Sequence, residues 1–414
     1  MIESQAGTSS GSNSTSGEID EIGDTPSTLR SWMSVVSVAI GAFAFVTTEF
    51  LPVGLLPQIA RDLGVSPGTA GLMVTVPGVI AAISAPAMMV GAGRIDRRLI
   101  LLALSVMLLA SDLISAFTPN FGMMLLGRAM LGAALGGFWT LALTAAGRLV
   151  REQLAARATA MIMAGVTLAT VIGVPLGTLI SNLSSWRMSF IATAVLTTFA
   201  LAAQAFLLPS LPSKAAVRLG DLTAVLRRAH PRKSLLMVVL VFGAHFSSYT
   251  YIAPFLAQNA NFSLSAITAL LLGFGVVGFI SNFAISAAVT RNLKVSLLAM
   301  VVILMIALFA LPLSHGSRAE VSVMVLAWGV AFGAIPLCLS IWMQKSVPDM
   351  PEAGSALFIS IIQVAIALGS LAGGSLVDNI GVPVDFWFGS ILALSGLGAI
   401  VSFRIKKEKP GALA

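Results

Sequence analysis

From Ser31 to Phe50 the chain reads SWMSVVSVAIGAFAFVTTEF, twenty residues with one ionisable side chain. As a helix such a run is about 30 Å long, the thickness of a bilayer's hydrocarbon. Twelve runs of this kind can be laid down, beginning near Ser34, Ala70, Leu99, Met123, Ala158, Ser189, Leu235, Ser265, Val295, Val321, Ala356 and Phe386. Inside hydrocarbon every main-chain N–H and C=O must find its partner within the chain, so runs of this length are helices. Only 10% of residues are charged, against about a quarter in soluble domains. The chain therefore predicts an all-α integral membrane protein with twelve transmembrane helices.

The net charge of +7 raises the question of nucleic acid, and the placement of the charges answers it. With both termini cytoplasmic, 20 of the 24 lysines and arginines fall in inner segments. Arg61, Arg187 and Arg318 fall outside and Arg128 lies within a span. That asymmetry is the positive-inside pattern of a multi-pass membrane protein, and it excludes a nucleic-acid partner. Residues 1–29 are Ser/Gly-rich and acidic, without lysine or arginine, and read as a disordered cytoplasmic tail rather than a signal peptide. Residues 404–414 form a basic cytoplasmic tail. The single cysteine, Cys338, can form no internal disulfide.

Residues 209–234 make the longest polar stretch after the N-terminal tail and read as a cytoplasmic linker. They divide a six-helix bundle over 30–208 from a second over 235–403. The halves also align: residues 78–103 lie over 275–300 at a constant offset of 197, pairing Gly78 with Gly275, Ser84 with Ser281, Arg94 with Arg291 and Leu101 with Leu298. The same offset pairs Ala134 with Ala331 and Gly136 with Gly333. Two six-helix bundles related by a parallel repeat are the architecture of a rocking transporter.

Four ionisable residues fall well inside the spans: Glu49, Asp112, Arg128 and His245. Each is costly in hydrocarbon and so marks a candidate functional site. At 1.5 Å per residue Glu49 and Asp112 lie about 20 Å from the inner end of their spans, and Arg128 about 8–10 Å from the outer end of its own. The three share one level of the first bundle, where the two acids and the arginine can compensate one another. Glu49 reads either as a structural ion-pair partner of Arg128 or as a proton-accepting carboxylate; burial and a nearby cation act on proton affinity in opposite senses, so the pair can exchange a proton as access changes. Pro52 cannot donate to the Thr48 carbonyl, which leaves that acceptor free beside the acid. Arg128 has no counterpart in the second half, where the offset falls on Val325. Glu49, Arg128 and Asp112 are thus the proton-coupling candidates.

The segment GAGRIDRRL (91–99) joins spans 2 and 3, with Asp96 able to cap a helix end while Arg97 and Arg98 stay among inner headgroups. In span 5, GVTLATVIGVPLG puts Gly165, Gly173 and Gly177 at multiples of four, a smooth seam for close packing that Pro175 bends. No phosphate-cradling GxxxxGK[ST] and no Cys/His metal spacing occurs, so neither a cofactor nor a metal is expected, nor ATP hydrolysis or any other enzyme activity.

These stretches together resemble the major facilitator superfamily over nearly all of residues 30–405. RIDRR resembles the loop motif between helices 2 and 3, although Ala92 stands where the motif has glycine. GRAMLGAALGG resembles the helix 4 motif, bringing its arginine onto Arg128 and its glycine onto Gly132, and GVPLG resembles the exporters' helix 5 motif, covering Gly173, Pro175 and Gly177. The resemblance is closest to bacterial proton-coupled exporters of purine ribonucleosides, with sugar exporters beside them. It implies secondary active export of a small molecule in exchange for protons by alternating access, in a bacterial inner membrane, by a monomer. Sugar or multidrug efflux on the same scaffold is the alternative, and a non-transporting sensor or scaffold the alternative of another class. It further implies that spans 1, 4, 7 and 10 line the cavity. A purine presents flat faces and hydrogen-bonding edges, so Phe138, Trp139, His245, Tyr249 and Trp328 on those spans, with the amide of Gln363, become the substrate-binding candidates. Tyr249 follows His245 by four and shares its face, whereas Tyr251 points elsewhere.

Overall fold

The computed structural model describes residues 29–403 apart from 92, 94, 213–218 and 315–316, so the two expected tails lie outside it save for Leu29. The described chain is helical: α1 (Leu29–Asp62), α2 (Pro67–Ala70), α3 (Leu72–Gly91), α4 (Arg97–Ala116), α5 (Phe121–Leu149), α6 (Ala155–Leu168), α7 (Val174–Leu183), α8 (Trp186–Leu207), α9 (Leu219–Arg227), α10 (Ala229–Thr250), α11 (Ile252–Gln258), α12 (Leu264–Ala310), α13 (Arg318–Ser346), α14 (Pro351–Asn379) and α15 (Val382–Ser402). Between α6 and α7 a π turn, Ala169–Gly173, leads into Pro175, whose missing N–H frees the Val171 carbonyl.

Among the described residues ten helical runs are long and apolar enough to cross a bilayer, and α10 with α11, bent by 42°, makes an eleventh. One of the ten, Leu264–Leu313, is 50 residues long. Straight, it would reach about 75 Å, more than twice the hydrocarbon thickness. It breaks at Asn292 (φ −153°, ψ 89°), whose side chain accepts from the Val295 N–H at 3.2 Å. It therefore supplies two crossings, which brings the total to the twelve expected. Polar caps set several helix starts: Asp96 for α4, Asn120 for α5, Ser185 for α8, Ser263 for α12 and Ser317 for α13.

The repeat read in the sequence is built into the packing. On α5, Gly132 lies against the Pro77 backbone and Gly136 against Ala81, both on α3. At the offset of 197, Gly329 on α13 lies against Phe274 and Gly333 against Gly278, both on α12. The glycines of the fifth span form a second seam. Gly165, Gly173 and Gly177 abut Ala39, Thr47 and Leu51 of α1, each pair 126 residues apart, so the helices run in parallel register with no room for a Cβ between them.

One apolar core fills the first half around Phe45, Leu131, Leu135 and Phe138. A larger one occupies the second half and continues through Leu51, Leu55 and Ile59 of α1. Residues expected only as linker form α9, whose Leu222 and Val225 pack on Leu235, Met343 and Val347. α10 starts at Ala229, six residues before the expected Leu235, and Arg228 closes this end with an ion pair to Asp349 at 2.8 Å. The halves meet where α14 packs on α3 and α2, where α12 packs on α7, and where α1 reaches α11.

Candidate functional site

Two prolines organise the charged level. Pro52 in α1 leaves the Thr48 carbonyl without its helical donor, and Pro77 in α3 does the same to Met73. Arg128, fully buried on α5, fills both vacancies: Nη1 donates to the Thr48 carbonyl at 2.8 Å and Nε to that of Met73 at 2.7 Å. Nη2 donates to the Glu49 carbonyl at 2.7 Å. The guanidinium thus joins three helices through main-chain oxygens and makes its hydrogen bonds to no carboxylate. The sequence predicts that the two acids compensate this arginine directly; its contacts are instead to the backbone. An arginine suits this because its donors are splayed in a rigid fork.

Asp112 on α4 is also fully buried. It accepts from the Thr48 hydroxyl at 3.0 Å and from that of Thr197 on α8 at 2.9 Å. Thr48 therefore touches Asp112 with its side chain and Arg128 with its main chain.

The Glu49 carboxylate points the other way, toward the second half. It is 5% exposed, and its Oε1 accepts from Gln363 Nε2 of α14 at 3.2 Å. A hydrogen bond between a buried acid of one half and an amide of the other spans the junction. Beside it Phe50 stacks on Phe246 of α10, with ring centroids 5.5 Å apart.

Phe246 belongs to a cluster of rings centred on His245. His245 stacks on Phe332 at 3.2 Å and on Tyr249 at 4.8 Å, and meets Trp328 edge-on at 5.4 Å. Phe274 closes the group against Tyr249 and Trp328. Trp328 Nε1 donates to His245 Nδ1 at 2.9 Å, which makes Nδ1 the acceptor and leaves the imidazole proton on Nε2. The cluster offers several π faces and a single N–H edge.

Of the sequence candidates, Glu49 and Gln363 come together at the junction, His245, Tyr249 and Trp328 come together in the ring cluster, and Arg128 and Asp112 are joined through Thr48. Phe138 is apart from them; its rings in contact are Phe45 at 4.4 Å and Trp139 at 6.3 Å, inside the first half. Tyr251 is fully buried and donates to the Ser370 carbonyl at 2.9 Å. Phe50, Phe246, Phe274 and Phe332 were not anticipated, though Phe332 stands four residues after Trp328 and hence on its face.

Asp96 caps α4 by accepting from the Arg98 N–H at 2.8 Å, and it also accepts from the Leu211 N–H at 2.9 Å and the Ser210 hydroxyl. Partial burial acts to raise its pKa, but these three donors outweigh it and hold the carboxyl below the usual carboxylate range. The Arg97 N–H donates to the Leu211 carbonyl and Arg98 Nη2 to that of Ala205, so the loop is fastened to the end of α8 within its own half. Gly132, Gly173, Pro175 and Gly177 take the packing and bending positions described above.

The model of the Major Facilitator Superfamily matches residues 38–366. The chain belongs to the major facilitator superfamily. It is a multi-pass membrane transporter and not an enzyme. Among curated relatives it is 32% identical over 383 residues to the purine ribonucleoside efflux pump NepI of Shigella sonnei (strain Ss046), covering 92% of this chain and 96% of that one. It is 33% identical over 365 residues to the NepI pump of Salmonella paratyphi B, covering 88% and 90%. Among solved structures, the nucleoside transporter NupG superposes with a TM-score of 0.72 at 15% identity, and the human organic anion transporter MFSD10 with 0.66 at 17%; each match covers 89% of this chain and 99% of the other. At those identities the two structures speak for the fold.

Proposed function

We propose that this transporter exports purine nucleosides or bases in exchange for protons. Residues 30–208 and 235–403 act as the two rocking bodies of an alternating-access monomer, set in a bacterial inner membrane with both termini cytoplasmic. The observation that carries the reading is the Glu49–Gln363 hydrogen bond across the junction, beside the ring cluster on α10, α12 and α13. A proton on Glu49 turns an acceptor into a donor and removes its charge, and either change alters the contact that holds the halves together there. A substrate with flat faces can displace the Phe50–Phe246 stack and take its place against His245, Tyr249 and Trp328, while its ring edges reach Gln363. Arg128 and Asp112 hold Glu49 at its depth through Thr48 and the α1 backbone. The names of the curated relatives support the substrate class, and the aromatic character of the cluster favours a purine over a sugar.

Everted vesicles energised with a proton gradient test this directly. Radiolabelled inosine, adenosine and guanosine are expected to accumulate, and collapse of the gradient to abolish accumulation. Accumulation of a sugar or a cationic dye, with no nucleoside transported, would instead establish the alternative substrate class on the same scaffold.

A further inference from the structure

Asp385 lies in the first turn of α15, fully buried, and neither carboxyl oxygen has a hydrogen-bond partner among the described residues. Its Oδ1 faces the bare side of Gly373 on α14, where a Cβ would stand 2.6 Å from it, 2.8 Å from the Ser247 carbonyl oxygen and 3.1 Å from the Tyr251 ring. The carboxyl is thus enclosed by a carbonyl, an aromatic ring and the α14 backbone.

The ionisable groups around it give no compensation. α10 and its end bring Tyr251, which donates elsewhere, and α14 brings Asp378, an acid. α11 has no ionisable residue. On α12, Lys294 sits at the opposite end of α15, donating to the Val401 and Phe403 carbonyls, and Arg291 stands three residues before it, across the break at Asn292. His245 of α10 is engaged with Trp328, and Arg318 of α13 with the Asn261 carbonyl. An ionised carboxylate sealed in such surroundings is strongly disfavoured, whereas a neutral acid is tolerated.

What seals it is a junction between the halves. Tyr251 Oη donates to the Ser370 carbonyl at 2.9 Å and reaches that of Gly68 at 3.4 Å. Ser370 Oγ donates to the Gly71 carbonyl at 3.1 Å. Asp378 accepts from the Gly68 N–H at 2.7 Å and the Thr69 N–H at 3.1 Å. Gly68, Thr69 and Gly71 belong to the α2 region of the first half, and Tyr251, Ser370 and Asp378 to the second. The proposed orientation puts this gate on the outer face.

We propose that Asp385 is a second proton site, built into this gate, and that the gate closes over it only when its carboxyl carries a proton. Opening withdraws α2 from Tyr251 and α14 and exposes Asp385 to the outer solution, where it can ionise; closure then waits for a proton to return. Protons arriving from outside therefore promote the step that turns the transporter inward, separately from anything Glu49 does. The oxygens of Asp378 accept the α2 N–H groups, so it helps hold the gate shut, and the combined variant below takes it out of the response.

The inference takes only the orientation from the proposed function, and its test reads the gate and not transport, so the two can fail separately. Spin labels on cysteines replacing Arg61 and Ile380, in full-length protein with Cys338→Ala in lipid nanodiscs, report closure as a short distance. The closed-to-open ratio is expected to fall as pH rises, by at most about tenfold per pH unit since one proton is linked. With Asp385→Asn the gate is expected to stay closed and the ratio to change less than about twofold over the same range. Should that variant fail to reach the membrane, the combined Glu49→Gln, Asp112→Asn, Asp378→Asn protein retains Asp385 and is expected to keep the response with the same sign. A gate that opens on acidification, an undiminished response in Asp385→Asn, or no response in the combined variant would each overturn the proposal.

Discussion

The two halves put different chemistry on equivalent positions. At the offset of 197, Thr48 corresponds to His245, Glu49 to Phe246, Pro52 to Tyr249, Pro77 to Phe274 and Arg128 to Val325. In the first half the two prolines free two carbonyls, and a buried arginine fills them. In the second half Tyr249 and Phe274 stand at the proline positions and keep their N–H groups, so the helices satisfy their own carbonyls and a valine suffices at 325. The side chains released from that task form the ring cluster. One scaffold thus holds charge at depth on one side and offers aromatic surface on the other, and Glu49 faces Gln363 where the two meet.

The most severe way to break this comparison is to remove the arginine. Arg128→Met strands the Thr48 and Met73 carbonyls, and at about 1–3 kcal/mol for each buried unsatisfied group the loss should be about 2–6 kcal/mol. Pro52→Ala and Pro77→Ala restore the missing donors, making the first half resemble the second, and should recover about half of that loss. Thermal unfolding in detergent across the mutant cycle checks it. If the prolines and the arginine prove additive, the arginine does not serve those carbonyls.

A smaller effect is expected in the ring cluster. Trp328→Phe keeps a ring but removes the donor to His245 Nδ1, freeing the imidazole to turn. Loss of one buried hydrogen bond, about 1–2 kcal/mol, corresponds to a five- to thirtyfold weaker nucleoside affinity with unchanged protein level. Binding measured on purified protein decides, and equal affinity would detach the cluster from the substrate.

The smallest effect lies outside the membrane, at Asp96. Its folded-state pKa is depressed by its three donors, so its stabilising contribution is present above the unfolded carboxylate pKa and lost as pH falls through the folded value. Being partly exposed, it should contribute less than about 1 kcal/mol. Asp96→Asn is expected to flatten the stability profile below about pH 4 and leave neutral stability almost unchanged, as unfolding midpoints against pH would record.

Much of this was legible in the chain. Apolar run length foretold the twelve crossings, and the glycine periods foretold seams the structure forms residue for residue. Pro52 was readable as freeing the Thr48 carbonyl; that Arg128 would fill it was not, because helix neighbours three spans apart in sequence leave no periodic trace. Asp385 escaped because Pro383 and Asp385 read as loop before a span starting at Phe386, whereas α15 begins at Val382. Gln363 was readable as a substrate-binding amide but not as the partner of Glu49, which lies on the other half of the chain.

The central claim is that Glu49, at the junction, carries the coupled proton. Proteoliposomes holding the Glu49→Gln protein, tested with radiolabelled nucleoside under an imposed pH gradient and again in nucleoside exchange without one, address it most directly. Gradient-driven accumulation should vanish while exchange continues, because the glutamine can still meet Gln363 but takes up no proton. Accumulation in the Glu49→Gln protein equal to that of the native protein would contradict the account.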